Sequence, residues 1–224
     1  MTSTDGESHN LAAGLPARPR GVVRAAIALT AAAAFGAVDQ YLPVAITGTS
    51  HQGAYLFAVQ VSGMSAPWLL VPFLAGAWQS GQRRAALVGV AAAWLAVLAY
   101  VFMIVSPMEG VHLTARTFAV SLASQWPWFA GGLITGPLYG WLGHRWRALR
   151  SPAAAVLAAM PVLLEPAARW LATRTGLSGT GWFMFSWPLQ RGGVAAEFGE
   201  FAVGLLLTAA VITVIARGRA VARV

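Results

Sequence analysis

The chain has 224 residues, 58% of them hydrophobic and only 10% charged, with fifteen basic residues against seven acidic ones and no cysteine. Soluble domains carry about a quarter charged residues, so this composition excludes a water-soluble globular domain. The missing thiols exclude disulfides, thiolate catalysis, lipoprotein anchoring and Cys-ligated metals. The net charge of +8 rests on arginine alone. Its arginines fall in short segments between apolar runs, which fits orientation in a membrane better than a nucleic-acid partner.

Apolar runs long enough to cross a bilayer recur along the chain, without the alternation of an outer-membrane strand. The expected fold class is therefore all-α, a polytopic transmembrane helical bundle of about six spans with both termini cytoplasmic. Residues 1–17 are polar and small and read as a disordered cytoplasmic tail. Arg18, Arg20 and Arg24 then lead into the first apolar run. A basic start before an apolar stretch is also how a signal peptide begins, but a retained first span brings the later charges into order. The single six-helix domain occupies 18–217, with spans at about 22–45, 54–77, 85–105, 117–141, 152–172 and 194–216.

Span one carries Ala28, Ala32 and Gly36 at four-residue spacing, a small-residue face suited to close helix packing. Asp39 follows, seventeen residues past Val22 and so about 25 Å along a helix. Spans two and four end in segments that echo one another, "PFLAGAWQSGQRRAAL" from Pro72 and "PLYGWLGHRWRAL" from Pro137. Such an echo reads either as a transporter-type repeat or as the proline, tryptophan and arginine common at cytoplasmic helix ends. The fourth span holds "SQWPWFAGG", where Gln125 and two indoles suit an aromatic belt or a stacking wall for a cationic ligand.

Span five contains Glu165, Pro166 and Arg169; acid and arginine are four apart and share a helix face. A long outer loop, 173–193, is rich in turn residues and then aromatic, and reads as an interfacial loop or a lid. Glu197 and Glu200 open span six, and 218–224 form a basic cytoplasmic tail. With the N-terminus inside, eleven arginines fall on the cytoplasmic side, and Arg116, Arg169, Arg174 and Arg191 on the outer side.

Asp39, Glu165, Glu197 and Glu200 thus gather in the outer third of the bilayer. A carboxylate facing lipid near mid-span costs roughly 2.5 kcal/mol or more, so these groups turn inward. With Gln125 and Arg169 they form the candidate ligand or ion pathway. The alternative is an internal polar network that only fixes helix packing. No H-E-x-x-H, complete nucleophile elbow or phosphate loop is present. Neither an enzyme, nor a cofactor, nor a metal site is expected.

"GAVDQYLP" (Gly36–Pro43), "GLITGPLYGWLGHRWR" (Gly132–Arg147) and "LLEP" (Leu163–Pro166) resemble uncharacterised six-span integral membrane proteins of actinobacteria. That resemblance covers spans one to five and implies no activity. In architecture alone the chain is similar to substrate-capture subunits of energy-coupling-factor vitamin transporters. This similarity implies an outward pocket for a small cationic or vitamin-like solute, and docking of a transmembrane partner subunit on Ala28, Ala32 and Gly36. The expectation is a multi-pass protein of the cell membrane, whose partners are the lipid bilayer, a small solute and such a subunit. Its alternative is a non-catalytic scaffold or assembly subunit.

Overall fold

A computed structural model describes residues 20–46, 65–106, 110, 112–175 and scattered positions between 198 and 213. Among them every regular element is helical: α1 (Arg20–Ile46), α2 (Ser65–Ala77), α3 (Gln82–Ile104), α4 (Ala115–Ser124), α5 (Trp126–Leu149) and α6 (Pro152–Arg174). The all-α expectation holds. Two of these helices, over Gly21–Pro43 and Gln82–Ile104, are long and apolar enough to cross a membrane. Shorter apolar stretches lie at Ala66–Ala77 and Pro152–Glu165.

Spans one, three and five correspond to α1, α3 and α6 within a few residues. Span two corresponds to α2 from Ser65 onward, while 54–64 lie outside the described residues. Over the fourth expected span, 117–141, the chain forms two helices, α4 and α5, joined at Gln125 with φ −94° and ψ 8°. Pro127 explains the break: it has no N–H to give to the turn behind it. The Gln125 amide bonds to Leu122 O at 3.1 Å in a tightened last turn. α4 begins on a capping box, in which Thr114 Oγ1 accepts from the Thr117 amide at 3.1 Å. α5 then runs eight residues beyond the expected end, to Leu149.

The core is built from small residues. Ala28 and Ala32 of α1 pack with Ala92 and Ala96 of α3, and a Cβ added at Gly36 would strike the Ala96 carbonyl. A second seam is tighter. Gly132, Gly136, Gly140 and Gly143 line α5; Gly136 lies against Val90 and Gly89, Gly140 against Ala85, and Gly143 against Phe73. Gly76 of α2 meets Gly140 from the other side. At Gly76, Gly136, Gly140 and Gly143 backbone touches backbone, so only glycine fits, whereas Gly132 meets the Trp94 side chain.

Large apolar side chains point the other way. Leu87 is 71% exposed, Ile134 72% and Phe102 55%, and Val23, Ile27, Leu133, Leu157 and Leu164 are exposed as well. Small residues inside and large apolar ones outside invert the usual ranking of soluble proteins.

The contacts also fix helix directions. Gly21 lies beside Arg84 and Gly36 beside Ala96, so α1 and α3 run the same way. Ala85 meets Gly140 while Trp94 meets Phe129, so α5 runs opposite to α3. Phe73 packs with Ala154 and Ala158, and Ala66 meets Glu165, so α6 runs opposite to α2. One end of the bundle therefore gathers the starts of α1, α3 and α6 with the ends of α2 and α5.

Candidate functional site

The end of the bundle away from those starts is aromatic and acidic. Trp68, in the first turn of α2, is its centre. Phe35 of α1 meets it edge-on at 5.3 Å, Tyr100 of α3 edge-on at 5.7 Å, and Trp128 of α5 stacks on it at 6.4 Å. Four helices each supply one ring. Edge-to-face and offset pairs of this kind contribute about 0.5–1.5 kcal/mol each beyond the area they bury.

Glu165 comes to the start of α2 from α6. It is only 6% exposed, and its Oε2 accepts a hydrogen bond from the Ala66 amide at 3.1 Å. That amide belongs to the first turn of α2, where N–H groups point out of the helix, and the next residue, Pro67, has no N–H. A carboxyl group beside a helix start also meets the positive end of its dipole. The opening residues of α2 thus hold Glu165 two positions from Trp68.

Asp39 is half-buried on α1, one turn beyond Phe35, so both share the face that turns toward Trp68. Gln125 is half-buried at the α4–α5 junction, three residues before Trp128, with its Nε2 3.5 Å from Ser124 Oγ. Of the expected site residues, Asp39, Gln125 and Glu165 come to the same end of the bundle. Arg169 continues α6 one turn past Glu165; its side chain lies outside the described residues, as do Glu197 and Glu200. Beyond them, Gly204 is helical and packs against Leu163 and Val162 of α6. Within "SQWPWFAGG", Trp128 joins the ring group, whereas Trp126 is 67% exposed.

Ala28, Ala32 and Gly36 face α3 of the same chain. Within the chain the residues beside them are Ala92 and Ala96.

The opposite end is basic. Arg24, Arg83, Arg84, Arg145, Arg147 and Arg150 lie there, against Arg116 and Arg174 at the acidic end. His144, also at the basic end, is buried, with Nδ1 3.1 Å from the Gln79 carbonyl. Gln79 is buried too; its Nε2 donates to Ala75 O at 3.1 Å, and its Oε1 has no partner among the described residues. Among the described residues no group of three His, Cys, Asp or Glu could hold a metal ion.

Sequence reasoning missed Trp68, Tyr100 and the Ala66 amide. It also passed over the glycine row of α5, although Gly132, Gly136 and Gly140 stand at four-residue spacing and were legible as a packing motif. No known protein family, curated protein or solved structure matches the chain.

Proposed function

We propose that the chain is a multi-pass protein of the cell membrane, with six spans and both termini cytoplasmic. On this reading it binds or passes a small cationic solute from the outer side, without catalysing a reaction. The pathway runs through Asp39, Gln125 and Glu165, with Arg169, Glu197 and Glu200 as its further members. The inverted packing supports the membrane setting, since lipid is the solvent that accepts outward Leu, Ile and Phe around an Ala/Gly interior. The gathering of six arginines at one end supports the orientation.

The observation that carries the site is Glu165, a buried carboxyl held by the Ala66 amide in the helix turn that also carries Trp68, the centre of a four-ring group. Ring faces and carboxyl groups together favour a cation over an anion. A thermal-shift screen of detergent-purified protein against amines, quaternary ammonium compounds, vitamins and metal cations tests the reading. A compound that raises the Tm of the wild type but not of Glu165→Gln supports it; no shift from any of them counts against it.

A second reading has its own observation. The Glu165–Ala66 bond ties α6 to α2 and would serve a scaffold subunit equally well. On that reading no solute shifts the wild type, Glu165→Gln melts lower, and the chain co-purifies with a partner.

A further inference from the structure

The basic end holds a surface that solute binding does not use. The two echoed segments, 72–87 and 137–149, meet there: Gly76 lies on Gly140, Phe73 on Gly143, and the Gln79 carbonyl beside His144. Their arginines consequently share one rim. Arg24, Arg83, Arg147 and Arg150 are exposed, while Arg84 and Arg145 are half-buried. Arg145 is set over the Trp141 ring at 4.9 Å, and the Arg84 guanidinium rests against Gly21, where a side chain would collide with it.

Both acids with described side chains, Asp39 and Glu165, belong to the other end. Six cations thus crowd one rim with no carboxylate beside them among the described residues. Their mutual repulsion favours an anionic partner, and guanidinium forks match phosphate oxygens. Directly beside them stand two exposed indoles, Trp78 and Trp146, each 43% exposed. An exposed apolar track then leads away from the arginines: Leu149, Leu138, Ile134 and Leu133 on α5, with Leu74 on α2. A ligand that fits has an anionic head, a boundary at indole depth and an apolar tail. A polynucleotide offers nothing to the track.

We propose that this arginine–tryptophan rim binds anionic phospholipid headgroups in the leaflet that it faces. The proposal rests on the membrane reading above and is independent of the solute site.

The test uses the purified full chain in neutral detergent, with phosphatidylglycerol or phosphatidylcholine added, and reads Tm and retained lipid by native mass spectrometry. Phosphatidylglycerol is expected to raise the Tm and to remain bound, and phosphatidylcholine to do neither. Near 1 M salt, where screening acts over about 3 Å, the preference should disappear. Each arginine near an anionic surface is worth about a five-fold gain in association, so Arg83→Gln with Arg147→Gln should weaken phosphatidylglycerol binding ~25-fold. Lys at both positions should keep most of the preference, and Arg116→Gln at the other end should keep all of it.

Equal retention of the two lipids by the wild type would overturn the proposal without any variant needing to fold. So would an equal Tm rise with sodium phosphate or glycerol phosphate, which would mark a free-anion site. Alkaline washing of membranes separates the two ideas. A chain released by the wash loses both the membrane reading and this one, whereas a chain that stays but shows no lipid preference loses only this one.

Discussion

The two ends of the bundle are built from the same kinds of helix but solve opposite problems. At one end a carboxyl group is buried and the fold supplies a partner for it in the Ala66 amide, while four rings gather around Trp68 in the same helix turn. At the other, six arginines gather, four exposed and two half-buried, with no carboxylate beside them among the described residues. Polar groups that the chain satisfies itself belong to its interior. Charges that it leaves unsatisfied belong to an interface. Between the two ends, α3 and α5 meet along a seam of glycines, closed toward the acidic end by Trp94, whose Nε1 donates to the Phe129 carbonyl at 2.9 Å.

That contact is where the comparison breaks first. Gly140→Ala would push a Cβ into the Ala85 carbonyl, and Gly136→Ala would set one 2.7 Å from Val90 Cα. Each should cost about 1–3 kcal/mol or more, since backbone cannot step aside as a side chain can. Gly131, in the same helix, has nothing within 4 Å of an added Cβ. Gly131→Ala should therefore leave stability unchanged or raise it by up to about 1 kcal/mol. Thermal melts of the three variants in detergent decide this, and equal losses would contradict the seam.

The ring group should come next. Trp68→Leu removes three ring contacts and should cost about 2 kcal/mol. Trp126→Leu, at a ring that is 67% exposed, should stay within about 0.5 kcal/mol. Chemical denaturation monitored by tryptophan fluorescence separates the two.

Glu165 sharpens the contrast further. Glu165→Ala leaves the Ala66 amide without its carboxyl partner and should cost about 1–3 kcal/mol. Glu165→Gln keeps an acceptor oxygen in place and should cost less in the same melt. The smallest effect belongs to the basic end, where Arg150 closes α5 in the left-handed conformation, φ 46° and ψ 37°. Arg150→Gly relieves that strain and should gain about 1 kcal/mol. A gain in Tm together with weaker phosphatidylglycerol retention would show that stability and charge pull apart at this position.

Much of the fold was legible because hydropathy and helix period follow directly from lipid and backbone geometry. The helix bounds expected at 22–45, 85–105 and 152–172 lie within a few residues of α1, α3 and α6, and Pro152 opens α6. The break at Gln125 was written in Pro127, but a proline inside an apolar run reads equally as a kink, and only the tightened turn at Leu122 settles it. The place of Glu165 along α6 could be counted from residue rise, whereas its partner could not. The Ala66 amide is ninety-nine positions away and carries no side-chain signature. The Ala28, Ala32 and Gly36 stripe was correctly read as a packing face, but spacing alone does not say which helix fills it. α3 of the same chain does.

The central claim is that the two ends face opposite sides of a membrane, arginines inside and acids outside. The chain has no cysteine, so single cysteines report position without background. Gly81→Cys marks the basic end, where an added side chain meets nothing within 4 Å. Leu113→Cys marks the acidic end at a residue 50% exposed. Labelling of intact cells with a membrane-impermeant maleimide should modify Leu113→Cys at once and Gly81→Cys only after permeabilisation. Labelling of both before permeabilisation, or of Gly81→Cys alone, would contradict the orientation and the outward site that depends on it.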